Sequence, residues 1–574
     1  MVRGLPMVRE KGTIVVTFDE SSKTGLSRLA AVLFLSVLMV QAQPGASRTM
    51  GLMLKDSGAF TGYTLFTPMP YNKTYLIDND GHMVHSWQAE TRPGLSAYLL
   101  ENGLLLRTQF DSGPYLRGGG AGGRVELVDW DGNVTWSYTY SGPTFRQHHD
   151  ATALPNGNIM MIAWETKTRA EAIAAGRNPQ TIYQSFIVDH IIEVDPRTDS
   201  IVWQWHSWDH LIQDFDPTKA NYGVVRDHPE LIDINGGMSG TYDWTHCNTI
   251  TYNAQFDQVM ISPRYFCEIW VIDHSTTTEE ARGHTGGRYG RGGDLLYRWG
   301  NQEAYKRGTG YDRKLFQQHD PQWIDSGLPG AGHILVFNNG NARPTGEYTS
   351  VDEIVPPMDS LGFYHLRSDS TFGPDSACWS YRLPSELMSD HVGGCQRFEN
   401  GNTIVCAGPF GTFLEVTPEM RLVWKYINPV TASGPLEQGQ FVPPLSNEVF
   451  RVRRYSPDYP GLAGRTLTPQ GPIERYPQSV DEAADNRPLI TMLTAQPRVS
   501  TDRFRLRLCL DRPTRVRLAV YNQLGSRVAS LVDGELPTGV QEFCWNAAAY
   551  APGTYFCKLD SDSGHEVVSI VHTR

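Results

Sequence analysis

The sequence predicts an all-β protein: a six-bladed β-propeller followed by a small C-terminal β-sandwich (Ig-like) domain. Three observations carry that expectation. First, the 574 residues include 55 Gly, 36 Pro, 14 Trp and 26 Tyr, and long amphipathic helical patterns are scarce, a profile of many strands and turns. Second, six segments share one pattern, a short apolar strand, a polar turn and a second strand ending in Trp. They are YLIDNDGHMVHSW (to Trp87), VELVDWDGNVTW (Trp136), IIEVDPRTDSIVW (Trp203), EIWVID with an insertion before DLLYRW (Trp299), YHLRSDSTFGPDSACW (Trp379) and FLEVTPEMRLVW (Trp424). Third, a second kind of hairpin lies between them: LENGLLLRT, LPNGNIMMIAW, FDQVMISPR, GHILVFNNG and FENGNTIVCAG. Asp-Gly and Asn-Gly between alternating strands are hairpin turns. Two hairpins per unit make a four-stranded antiparallel sheet, and a recurring aromatic at about fifty-residue spacing marks a propeller blade. A large β-sandwich is the competing architecture, but it does not demand an equivalent Trp in each unit.

Taken in order, residues 1–42 read as an export signal. Lys23 and Arg28 precede the apolar run Leu29–Val40, and Val40-Gln41-Ala42 offers a cleavage site. The run is short for a membrane span; a single membrane anchor is the alternative. Residues 50–455 form the propeller. Insertions interrupt its period at 166–184, 206–242 and 274–293, the last rich in Gly and Arg, which reads as an anion cradle or as a plain loop. Residues 456–496 are Pro-rich, a wrapping segment or linker. Residues 497–574 return to short alternating strands, the separate sandwich.

The formal net charge of -12 argues against nucleic acid as the main partner, which favours a basic stripe. An exported protein can oxidise cysteines. Eight are present; Cys395 and Cys406 flank one hairpin and are candidates to pair across it, while Cys509, Cys544 and Cys557 form an odd set. No CxxC occurs, so no structural zinc site is expected.

The chemistry concentrates in histidines at the entry to the innermost strand of successive units. His149 stands in QHHDATALPNGN, His246 in DWTHCNTI, His319 in QQHDPQWI and His391 in SDHVGGCQRFENGN. The corresponding place in the preceding unit is Ser96-Ala97. Innermost strands line a propeller channel, so the four imidazoles are expected at one funnel, with Arg343 of FNNGNARPTGE adding a fixed cation. Three readings stand: a metal site, an oxyanion site with one nucleophilic histidine, or structural residues tying blades together. Against the metal, Asp150 and Asp320 directly follow His and point away if the segment is extended.

Several long motifs then bear a family resemblance. DWTHCNTI with SPRYFCEIWVID, QQHDPQWI with ILVFNNGNARP, and GGCQRFENGNTIVCAGPFGTFLEVTPEMRLVWKYINPV are similar to bacterial arylsulfate sulfotransferases over roughly residues 60–470. That resemblance implies an exported six-bladed propeller that moves a sulfuryl group from an aryl sulfate donor to a phenolic acceptor, with no nucleotide and no cofactor or metal, by a ping-pong route through a sulfohistidine. It implies His391 as the nucleophile and His246, His319 and Arg343 as groups that stabilise the sulfuryl oxygens. His149 is expected to line the funnel and contact substrate. Trp244, Tyr265 and Phe337 are candidates to hold flat aryl groups, or are plain packing residues. Family members can also form homodimers. The C-terminal stretch VRLAVYNQLGSRVASLVDGELPTGVQEFCWNAAAYAPGTYFCKL resembles the sorting domains of type IX secretion substrates. It implies secretion machinery as a partner and a secreted or cell-surface location; an accessory Ig-like domain is the alternative.

Overall fold

The computed structural model describes residues 48–476 apart from 183 and 239–241, and residues 490–573 apart from 497–498, 511–512, 524 and 562–563. The expected export signal at 1–42 lies outside the described residues. The chain divides into two compact units, Met1–Arg475 and Tyr476–Arg574, so residues 456–475 of the Pro-rich stretch fold with the first unit.

The first unit is a propeller-like arrangement of antiparallel sheets. Sheet I has the strand order Val449–Tyr455, Tyr63–Pro68, Lys73–Ile77, Met83–Gln88, so its inner strand comes from far along the chain. Sheet II runs Pro93–Leu99, Leu105–Phe110, Gly123–Val128, Val134–Thr139, and sheet III runs Phe145–Ala153, Ile159–Lys167, Phe186–Asp195, Ser200–His206. Sheet IV comprises Cys247–Asn253, Gln258–Pro263, Ile269–Asp273 and Tyr297–Trp299; sheet V comprises His319–Trp323, Ile334–Asn338, Ser350–Ile354 and Trp379–Arg382. Sheet VI holds Gly394–Arg397, Thr403–Ala407, Thr412–Val416 and Leu422–Ile427, with Gly51–Lys55 added at its outer edge. The Asp-Gly turns take the left-handed conformation that hairpin needs, with φ of 77° at Gly81 and 90° at Gly132,.

All six repeat tryptophans lie on the fourth strand from the inside of their sheets, outermost in all but sheet VI, and their indole N–H groups bond sheet to sheet in sequence. Trp87 donates to Asp129 O, Trp136 to the Asp199 carboxylate, Trp203 to Thr276 Oγ1, Trp299 to Pro374 O, Trp379 to Pro418 O and Trp424 to Asn79 O. The last bond returns from sheet VI to sheet I, so the outer strands form a closed cycle. An indole buries a large apolar area and still needs a partner for its single donor.

The inner strands meet at Arg451. Its guanidinium bonds the Asp150 carboxylate at 2.8 Å, Asp320 at 3.2 Å, Tyr98 Oη at 2.5 Å, Asn248 O at 3.0 Å and Thr249 Oγ1 at 3.1 Å. Asp320 accepts in turn from Cys395 N at 3.0 Å and from Arg453. All six inner strands are thereby tied to one buried ionic network. A buried charge is tolerated only when paired and hydrogen-bonded in this way. Asp150 and Asp320, one residue past His149 and His319, belong to this network.

The second unit has a three-stranded sheet ordered Ile490–Gln496, Arg503–Leu510, Gly539–Asn546 and a five-stranded sheet built on Thr514–Asn522, Arg527–Leu536, Gly553–Ser561 and Gly564–His572. Phe504, Leu508, Leu518, Trp545, Leu559 and Ile570 lie in one core between them.

The suggested Cys395–Cys406 bridge does not form; both thiols are free and buried. Cys395 sits opposite Val405 and Cys406 opposite Gly394, and this one-residue offset places the two side chains on opposite faces of the sheet. Two insertions contain the short capped helices Arg169–Ala174 and Thr278–Ala281. The Gly/Arg-rich loop is pinned by Arg288, which donates to Phe256 O at 2.9 Å. Phe256 lies just beyond the far end of the inner strand of sheet IV, away from His246 at its start. No helix of the described residues is long and apolar enough to cross a membrane.

Candidate active site

His246, His319 and His391 lie at or just before the start of an inner strand, as expected, whereas His149 is the fifth residue of Phe145–Ala153, within the strand. His149 and His246 themselves take left-handed backbone, φ 49° and 50°, whereas Asp320 beside His319 (51°) and Val392 beside His391 (44°) take it in the other two sheets. In sheets III and V that residue falls where the inner strand shifts register against its neighbour, which re-aims the side chains around it; in sheet IV the shift lies between Cys247 and Ile250, just past His246.

Three of the histidines gather. The rings of His149 and His246 lie 4.9 Å apart, and Phe450 packs against both His149 and His319, at 6.0 and 6.3 Å. The Nδ1 atom of each ring is taken. His246 Nδ1 meets Asp243 Oδ2 at 2.6 Å. His319 Nδ1 meets Asn339 Oδ1 at 2.7 Å, and because Asn339 Nδ2 donates to Ser389 O and Val392 O, that oxygen is the acceptor and His319 carries its proton on Nδ1,. His149 Nδ1 faces His148 Nδ1 at 2.8 Å. All three Nε2 atoms are left with no protein partner among the described residues. Burial, then the neighbouring imidazoles of His246 and His148, holds His149 well below the usual histidine pKa; burial and the Arg264 cation do the same to His319,. Both are neutral bases at pH 7.

Among the described residues, the groups whose ligand atoms close to within 4.8 Å of one another, such as Glu165, His190 and His206, do not include this trio. Its three nitrogens are not close enough to share one ion in this arrangement.

His391 is different. Its side chain is 35% exposed, its Nδ1 contacts Asp390 at 2.5 Å and its Nε2 contacts Glu448 at 2.7 Å. The hydrogen bond to Glu448, with that to Asp390, raises its pKa above the ordinary value despite partial burial. It joins the others through Arg264, whose Nη2 donates to Asp390 O at 3.2 Å and whose charge is felt at His319. Arg264 Nε is buried without a partner.

Arg343 is held by aromatic rings. Its guanidinium stacks 4.1 Å over Tyr348 and 4.7 Å over Phe316, and donates to Tyr348 O and Ser350 Oγ. Of the three aromatic candidates only Tyr265 borders the site, its ring 4.8 Å from His246. Trp244 is fully buried among Phe186 and Phe266, and Phe337 is fully buried against Leu335 and Val351; neither has a face to offer a substrate.

A glycine loop closes over the trio. A Cβ added at Gly120 would lie 1.9 Å from His149 Cε1, and one at Gly119 would lie 3.9 Å from His246 Cε1. A cavity of ≈ 1060 Å³ lies at the other end of the inner strands, where Tyr98, Thr152, Ile250, Gln322, Gln396 and Arg453 line it. It contains none of the histidines.

Sequence reading missed Arg264, Asn339, His148, Asp189 and Glu448. His148 and Arg264 stand inside the motifs QHHD and SPRYF; Asp189 and Glu448 lie far along the chain from the histidines they serve and carry no local signal.

Among solved structures, a protein of unknown function from Bacteroides caccae is 11% identical, with 69% of this chain and 98% of that one covered at a TM-score of 0.36. Virginiamycin B lyase from Staphylococcus aureus is 10% identical, with 68% and 87% covered at 0.31. Regucalcin, a calcium-binding protein from Agrobacterium tumefaciens, is 9% identical, with 70% and 97% covered at 0.27. No curated protein matches the chain. The arylsulfotransferase (ASST) family model matches residues 52–431, a span that takes in all four histidines, and by that match the chain belongs to the arylsulfotransferase family.

Proposed function

We propose that the protein transfers a sulfuryl group from an aryl sulfate ester to a phenol, without a nucleotide, through a sulfohistidine on His391. Family membership supports aryl sulfate transfer in general. One observation carries the finer assignment: His391 is the accessible imidazole of the four, held by a carboxylate on each nitrogen, and Arg264 links its neighbour Asp390 to the cluster of three more imidazoles.

Asp390 fixes Nδ1–H and leaves Nε2 as the reacting atom. Glu448 takes the Nε2 proton. The freed lone pair attacks sulfur, the N–S bond forms as the S–O(aryl) bond breaks, and the electron pair leaves on the phenolate, to which Glu448 returns the proton. Arg264, with its uncommitted Nε, faces the sulfuryl oxygens and takes the part that the resemblance gave to Arg343. Tyr265 offers the aryl group a surface. The acceptor phenol then attacks the sulfohistidine and the imidazole leaves.

The same proposal reads the six sheets as six blades and the 490–573 unit as a sorting domain for a secreted or surface-held protein. The Trp cycle and the shared Arg451 network support the blade count; the C-terminal sequence pattern supports the export.

The test is a rapid-quench reaction with an aryl sulfate donor alone. A burst of phenol equal to the enzyme present, with an added sulfuryl mass on His391 by mass spectrometry, is expected. No burst and no labelled histidine overturns the proposal, and a label on His319 instead moves the nucleophile there.

A further inference from the structure

Behind His149 lies a buried chain of polar groups to which the transfer mechanism gives no part. His148 Nε2 meets Asp189 Oδ1 at 2.7 Å, and His148 Nδ1 meets His149 Nδ1 at 2.8 Å. His148 is fully buried, stacked on Trp164 at 4.4 Å, and Asp189 is 2% exposed. The other Asp189 oxygen accepts from Thr245 Oγ1 at 2.5 Å and Cys247 N at 2.7 Å, so the carboxylate is fully engaged and fixed.

With both rings neutral, donor and acceptor counting places each proton on this path. A carboxylate only accepts, so His148 carries its proton on Nε2. A neutral imidazole carries a single ring proton. His148 Nδ1 is then a bare lone pair, and the proton between the two rings belongs to His149 Nδ1. His149 therefore turns a lone pair, not an N–H, toward the pocket.

We propose that His149 is the base of the second half-reaction, and that Asp189 and His148 are positioning residues which hold it in the accepting tautomer. This rests on the transfer reading above. The acceptor's O–H bond breaks and its proton goes to His149 Nε2. The aryl oxygen forms the new O–S bond, the N–S bond at His391 breaks, and its electron pair returns to His391 Nε2. The imidazolium formed at His149 shares its Nδ1 proton with His148, whose own N–H faces Asp189, so the buried carboxylate compensates the new charge. A sulfuryl oxygen would be repelled by that lone pair, which gives His149 a role distinct from anion binding.

Asp189→Asn tests the chain without presuming activity. Cys247 N–H and Thr245 must keep an oxygen partner, which turns the new amide nitrogen to His148 Nε2 and reverses both tautomers. Histidine ¹⁵N spectra of the full chain are expected to show His149 protonated on Nδ1 in the wild type and on Nε2 in the variant. His148→Phe keeps the stack on Trp164 and cuts the path; a mixture of His149 tautomers is expected. Wild-type protein already protonated on Nε2, or an unchanged spectrum in folded Asp189→Asn, overturns the proposal. In rapid-quench kinetics, Asp189→Asn should keep the phenol burst and lose about 100-fold or more in transfer to an acceptor. Equal loss in both half-reactions also overturns it. A wild type that gives no burst at all counts against the transfer reading alone, because the spectra still judge the tautomers.

Discussion

Glu448 holds His391 Nε2 at 2.7 Å, on the nitrogen that the Asp390 contact leaves to react. This contact makes the resting imidazole more basic and keeps a proton on Nε2 until Glu448 takes it. Because the pKa of His391 is raised and the neutral form attacks, kcat/KM for an aryl sulfate should climb as pH rises through a value above the ordinary 6.5,. Glu448→Gln removes the charge that raises it. The limb should move to lower pH, while the rate above the limb falls by on the order of 10²-fold for want of the proton carrier. A limb that stays in place would refute the coupling.

His391→Ala should lower turnover by on the order of 10³-fold or more and leave the thermal midpoint within about 2 °C, since the side chain is part exposed and belongs to no core cluster. Stopped assays with calorimetry check both halves of that expectation.

Gly120→Ala should damage the site from outside the histidine set. The residue has φ 86°, and its new methyl would fall 1.9 Å from the His149 ring. The loop or the ring must move. The strain costs about 1–3 kcal/mol, and transfer to the acceptor should fall more than the phenol burst does. Denaturant titration and rapid-quench kinetics separate the two effects.

Arg451→Met should cost about 3–5 kcal/mol, because it leaves Asp150 and Asp320 buried with one cation fewer. Unfolding in denaturant measures it; a cost under about 1 kcal/mol would mean Arg453 carries the network alone.

Cys378 and Cys544 are exposed free thiols, whereas Cys247, Cys267, Cys395, Cys406 and Cys557 are buried. A thiol reagent should therefore modify the first two in native protein and the other five only after unfolding. Protection of Cys378 without reductant would indicate a bond this structure does not contain.

The repeat was legible because its signal is local. Strand alternation, Asp-Gly turns and a terminal Trp lie within a dozen residues of one another, and all six Trp strands stand where that grammar puts them. The histidines were legible as a set for the same reason, each preceding a hairpin. What sequence spacing cannot carry is which nitrogen of each ring is free. That is decided by Asp243, Asn339, Asp189 and Glu448, and the last two reach their histidines across 41 and 57 positions of chain. Arg343, in the NARP motif, has its guanidinium held by two aromatic rings, Tyr348 and Phe316, a setting no local signal shows. Trp244 and Phe337 stand near site histidines in the chain, but both turn into the core.

Sheet I is finished only by Val449–Tyr455, a strand that follows the whole of sheets II to VI in the chain. During synthesis, five sheets and three strands of the first can form while the Arg451 position is still inside the ribosome, but their carboxylates at Asp150 and Asp320 have no cation to meet. The circle thus locks in a single late event, when one strand docks and one guanidinium arrives. Any cleavage before residue 449 removes the clasp and the ionic hub together.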